Sequence, residues 1–145
     1  MRRYVNLDRV AALVMFLLGI GHTLKALLFP VDFGHKANVV LASMKSVSFN
    51  CPGTTCTWFH LYFGFGLTAA IFFFFSGYVM WFIGGLPPRR RAGCAPIREA
   101  LFVSYTALAV VSWAYLFLIP LGFSIAIAAL LGAASLREQP TDSID

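Results

Sequence analysis

An all-α integral membrane four-helix bundle is predicted by this sequence, on three observations. The 145-residue chain is 59% hydrophobic and 12% charged, with a mean hydropathy of +0.79, where soluble domains carry roughly 25% charged residues. Its charges cluster at the two ends and in two intervening stretches. Four apolar stretches remain, at 10–30, 58–85, 100–119 and 120–136, and a helix needs about 20 such residues to cross a bilayer. Together they take up most of 1–145, which predicts a single transmembrane domain without internal repeats.

The net charge of +5 does not mark a nucleic-acid binder. Arg2, Arg3, Arg9, Arg89, Arg90, Arg91 and Arg98 flank the apolar stretches, and Arg137 follows the last. Arginine and lysine in short loops beside spans mark the cytoplasmic side. This predicts an N-in, C-in topology. The 86–99 segment is inside, and 31–57 and a turn at Pro120 are outside. The partner implied is the lipid bilayer.

Span 1 begins after "NLDR", where Asn6 or Asp8 can cap free backbone N–H groups. The run "AALVMFLLGIG" after basic residues has the form of a signal peptide, but "HTLKALLFP" carries it to spanning length and no A-x-A-type site follows. A retained span ending at Pro30 is expected. In the loop beyond, Ala37, Val40, Leu41, Met44 and Val47 recur at helical spacing among Lys36, Ser43, Lys45 and Ser46. That pattern, too short to span, predicts an amphipathic helix lying in the membrane interface. Next, Cys51 and Cys56 flank a Pro-Gly turn. On an outer, oxidising face they predict a structural disulfide. Their C-x4-C spacing differs from the C-x-x-C of redox centres. Cys94, in the inner loop, is expected to stay a thiol.

Span 2 opens with Trp58, suited to the aromatic belt, and brings Tyr78 and Trp81 to the other interface. Span 3 carries Trp113 and Tyr115 near its outer end. Span 4 pairs small residues four apart: Gly122 with Ala126, Ala128 with Gly132, and Ala129 with Ala133. Such spacing lets helix backbones approach closely in lipid. It predicts tight packing on another span, on a second copy, or within a larger membrane complex.

No Walker sequence, G-x-S-x-G, H-E-x-x-H or metal-spaced cysteine set is present, and no metal is predicted. None of the four apolar stretches contains Asp, Glu, Asn or Gln. Buried carboxylates serve proton-coupled transport, so a small transporter is the least favoured reading. The polar residues within the stretches gather at the outer side. Counted from Pro30, His22 lies about 12 Å deep and Lys25 about 7–8 Å. Counted from Trp58, His60 lies about 3 Å deep, Tyr62 about 6 Å and Gly66 about 12 Å. Ser112 and Tyr115 match His22 and Lys25 in depth. His22 with Lys25, Tyr62 with Gly66, and Ser112 with Tyr115 each share a helix face. A small outer-leaflet polar site is predicted, with His60 at its mouth and Gly66 leaving room beside His22. Bland roles stand beside this one. Lys25 can snorkel, the tyrosines can belong to the belt, and His22 needs only Ser112 or a backbone carbonyl as a partner. His22 and His60 are also the candidate ligands for a haem b. Their depths differ by about 9 Å, which argues against a shared iron. No cofactor is predicted, with haem b or a quinone as the exceptions to test.

The segments "GIGHTLKALLFP" and "ASMKSVSFNCPGTTCTWFHLYFGFGL" resemble a group of small bacterial four-helix membrane proteins over about residues 19–67. The matching positions are Gly21, His22 and Thr23, then Phe63, Gly64, Phe65 and Gly66. The resemblance implies the same fold and a multi-pass location in a bacterial inner (cytoplasmic) membrane. It implies an acidic residue where His60 stands, and brings no activity with it. The expected function is a non-catalytic accessory subunit or lipophile-binding bundle. The alternative is a membrane enzyme or redox component using His22 and Lys25 on a lipid or quinone.

Overall fold

The computed structural model describes residues 5–28, 32 and 34–138. Its elements are α1 (Leu7–Leu28), α2 (His35–Ser46), β1 (Ser48–Cys51), β2 (Thr54–Thr57), α3 (Trp58–Gly85), α4 (Pro88–Ala92), α5 (Ala95–Tyr115) and α6 (Leu118–Glu138). The protein is thus essentially all-α, and α1, α3, α5 and α6 are long and apolar enough to cross a membrane. The chain divides into two compact units, one of residues up to 18 with those from 73 on, the other of residues 19–72.

In the first unit, burial recurs at helical spacing. α1 buries Asp8, Ala11, Ala12, Met15 and Leu18. The second half of α3 buries Phe73, Ser76, Met80 and Ile83, and α6 buries Ser124, Ile127, Leu131 and Ala134. Three- and four-residue steps put such side chains on one stripe. Small residues bring the helices close. A Cβ at Gly77 would stand 3.0 Å from the Phe16 ring, one at Gly84 would stand 2.7 Å from Arg9 Cγ, and one at Gly132 would stand 3.4 Å from Phe102. Gly132 packs on α5, whereas Ala129, Ala133, Gly122 and Ala126 are exposed. Of the three small pairs in α6, the one at Ala128 and Gly132 is turned inward.

The second unit holds the end of α1, α2, the β1–β2 hairpin and the start of α3. β1 and β2 pair antiparallel, with Phe49 opposite Cys56 and Cys51 opposite Thr54. Pro52 and Gly53 make the turn. Gly53 has φ 80°, the left-handed value required of the third residue of a type II turn, while Pro52 fixes the second. The Cys51–Cys56 disulfide closes the hairpin, with the two Cα atoms 5.8 Å apart. Thr57 then starts α3, its Oγ1 accepting the His60 backbone N–H at 3.2 Å. This is an N-cap contact, which satisfies one of the free donors of the first turn.

Three expectations need correction. The hairpin strands lie where only a loop with a turn was expected. "SFNCPGTTCT" shows too short an alternation to register as strands by pattern alone. The helix carrying the third apolar stretch, α5, begins at Ala95, ahead of residue 100, because Pro96 sits in the first turn, where it is tolerated, and Arg98 is buried by pairing. The helix carrying the fourth stretch, α6, begins at Leu118, ahead of residue 120. Pro120 therefore lies inside the first turn of α6, where its missing N–H costs no helix bond, and the junction is Leu116–Phe117. Finally, the membrane-length helices extend beyond the apolar stretches and take in Asp8, Arg98 and Glu99, although the stretches themselves hold no carboxylate. The N-cap choice resolves to Asn6, whose Oδ1 accepts the Arg9 N–H at 3.3 Å. The expected span end at Pro30 and the placement of Arg2 and Arg3 lie outside the described residues.

Candidate functional site

His22 sits on α1 one helical step beyond Gly19, half-buried. Its Nε2 lies 2.9 Å from the Gly66 carbonyl oxygen of α3. A carbonyl only accepts, so Nε2 carries the hydrogen and the imidazole ties α1 to α3 within residues 19–72. Gly66 stands beside the ring, as the depth count expected. A Cβ there would be 3.7 Å from Nε2, which is ordinary contact. Next to it, the Thr23 hydroxyl donates to the Gly19 carbonyl at 2.8 Å, a back-bond that satisfies a hydroxyl inside a helix.

Four of the other predicted residues are more open. Lys25 and His60 are exposed. Tyr62 is 64% exposed and Tyr115 83%. Ser112 is buried, and its Oγ has no hydrogen-bond partner among the described residues. The partner of His22 is thus a backbone carbonyl, not Ser112. Ser112 lies at a cleft of about 210 Å³ at the α5–α6 junction, lined by Trp113, Leu116, Phe117, Leu118 and Leu121. His22, Lys25, His60, Tyr62 and Gly66 belong to the 19–72 unit, and Ser112 and Tyr115 to the other.

No protein-family model matches the chain, and no curated protein or solved structure matches it.

Two polar groupings escaped the sequence reading. At the N-terminal end of α1, Arg98 grips Asp8 with two prongs, Nε to Oδ1 at 2.9 Å and Nη2 to Oδ2 at 3.2 Å. Arg98 is fully buried and Asp8 is 2% exposed. Arg91 Nε lies 3.9 Å from Asp8 Oδ2, and its Nη2 donates to the Leu86 carbonyl at 3.0 Å. Asn6 Nδ2 donates to the Gly84 carbonyl at 2.6 Å, and the Arg9 guanidinium lies 4.9 Å over the Trp81 ring. These contacts join α1, α3, α4 and α5. A bidentate arginine–carboxylate pair gives directional strength, and the first-turn position of Asp8 suits the helix dipole. Deeper in the same unit, Ser76 Oγ and Tyr105 Oη are 2.7 Å apart, and Ser76 also donates to the Phe73 carbonyl at 3.1 Å. Their matching depths emerge only once α5 is known to start at Ala95. Ser76 lies about 13–14 Å from the Gly85 end of α3, and Tyr105 about 15 Å from the Ala95 end of α5. The Asp8–Arg98 pair is hidden from the sequence because Asp8 reads as a helix cap and Arg98 as part of the 86–99 loop.

Proposed function

We propose that this chain is a multi-pass membrane protein that serves as an accessory subunit, acting by association within the bilayer. The single observation behind this reading is the division of its helix surfaces. Three sets of polar side chains turned inward form helix-to-helix ties, His22 with Gly66, Ser76 with Tyr105 and Asp8 with Arg98, while the Ser112 and Ser124 hydroxyls are buried without a hydrogen-bond partner among the described residues. Large apolar side chains such as Phe65, Ile71, Phe75 and Val103 face outward. Inward polar groups that pair, with apolar groups facing lipid or a neighbouring helix, suit a bilayer. The N- and C-termini and the 86–99 segment face the cytoplasm, and α2 lies in the opposite interface. The positive-inside pattern and the resemblance over 19–67 favour a bacterial inner membrane. The exposed pairs Gly122–Ala126 and Ala129–Ala133 on α6 offer close approach to a partner span or a second copy.

A redox or lipophile role at His22 and Lys25 is the rival. A haem iron would compete with the Gly66 carbonyl for His22 Nε2. Native purification in mild detergent, followed by mass spectrometry of everything bound, tests the two. A partner of fixed stoichiometry, crosslinked from a photoreactive residue at Ala129, supports the subunit reading. A chain recovered alone with a Soret band or one equivalent of quinone overturns it.

A further inference from the structure

We infer that α2 and the hairpin behind it form a docking face for anionic phospholipid headgroups, an assignment resting on the interfacial placement of α2 proposed above. No residue of α2 is buried, and the helix packs mainly on β2. At 3.6 residues per turn, Ala37, Val40, Leu41 and Met44 fall on one arc, with Lys36 bordering it on one side and Lys45 on the other. Val40 is 59% exposed and Val47 52%. Lysines that flank an apolar arc keep their ammonium groups at headgroup level while their stems lie along the apolar surface.

Charge selects the headgroup. α2 carries two lysines and no carboxylate. The one carboxylate of the 19–72 unit, Asp32, sits at the N-terminal end of α2, accepting from the Gly34 N–H at 2.8 Å and from Asn38 Nδ2 at 2.7 Å, and leaves the two lysines of α2 in excess over it. Level is set by Lys45, whose Nζ lies 4.8 Å over the Phe59 ring. Phe59 belongs to the first turn of α3, beside Trp58, a residue suited to the membrane–water boundary. Phe49 of the hairpin packs on Trp58 with ring centroids 4.8 Å apart. The C-terminal end of α2 is thereby held where the span enters the bilayer, at the depth of lipid phosphates.

The test uses the full chain with the Cys51–Cys56 bridge intact and Cys94→Ser. A single environment-sensitive fluorophore is placed at Val40→Cys, or at Ala42→Cys about 160° round the helix. Each protein is placed at one or at two chains per nanodisc, in phosphatidylcholine alone or mixed equally with phosphatidylglycerol, and quenched with iodide. The expected result is shielding at position 40 but not 42, deepened by phosphatidylglycerol. Lys36→Gln with Lys45→Gln should remove that increment and lower phosphatidylglycerol enrichment around the chain by about fivefold per lysine at low salt. Equal quenching at 40 and 42 in both lipids overturns the proposal together with the interfacial placement. Shielding at 40 that is the same in both lipids overturns the headgroup assignment alone. Shielding that appears only with two chains per disc marks a second copy as the occupant and overturns it as well.

Discussion

Asp8 and Arg98 show what a single residue can decide. Neither charge reaches water, and each is tolerable only because the other is present. Breaking such a pair leaves an uncompensated buried charge, at roughly 3–5 kcal/mol in proteins, whereas replacing both partners with apolar residues is often near neutral. Arg98→Leu is therefore expected to destabilise the protein by about 3 kcal/mol, the lower end because Arg91 remains near Asp8. Asp8→Leu with Arg98→Leu should recover most of that loss. Chemical unfolding in detergent measures both, and a double variant as weak as the single would show that the network matters beyond the pair. His22 and His60 make the second comparison. His22→Ala removes the tie to Gly66, a class of bond that averages about 0.6 kcal/mol in membranes. His60 is exposed, and its backbone, not its ring, makes the helix cap, so His60→Ala should be close to neutral. Thermal unfolding of the two variants side by side checks the order. A larger loss from His60→Ala would move the functional focus to that ring.

At the scale of an element, α2 is tethered by its N-terminal side. The Gly34 N–H first, and Asn38 second, hold the Asp32 carboxyl below its ordinary value. A carboxyl lowered in the folded state favours folding only while charged. Its contribution is present above the unfolded-state value and is lost as pH falls through the folded-state value. Acidification through that range should release Gly34 and Asn38 together, seen as a shared titration of their amide signals by NMR. Asp32→Asn should abolish it. The hairpin is the other small element, and its bridge has a direct readout. Intact mass without reductant should be lower by two hydrogens than after reduction, with Cys94 alkylatable in both states. Both hairpin thiols alkylating in the unreduced protein would refute the bridge.

For the whole molecule the testable property is sidedness. Arginines beside α1, α4 and α5 and at the end of α6 predict that Cys94 faces the cytoplasm and the hairpin the opposite side. A membrane-impermeant maleimide applied to intact cells after mild reduction should label Cys51 and Cys56 and leave Cys94 untouched. Labelling of Cys94 would invert the topology and place α2 in the inner interface.

The four long helices were legible in the sequence because length and hydropathy depend on composition alone. α2 was legible from its period, and the disulfide from two cysteines around Pro-Gly. Gly66 beside His22 followed from counting depth, since rise per residue is fixed. The hairpin strands were not legible, because four-residue strands carry too little alternation to stand out. Nor were the start of α5, the inclusion of Pro120 in α6 or the burial of Asp8. Hydropathy treats Arg98 as a loop residue until a partner ninety positions away neutralises it. Which side chain meets which is a matter of tertiary placement. Local sequence fixes only that a buried arginine must find a carboxylate, and the fold alone decided that it is Asp8.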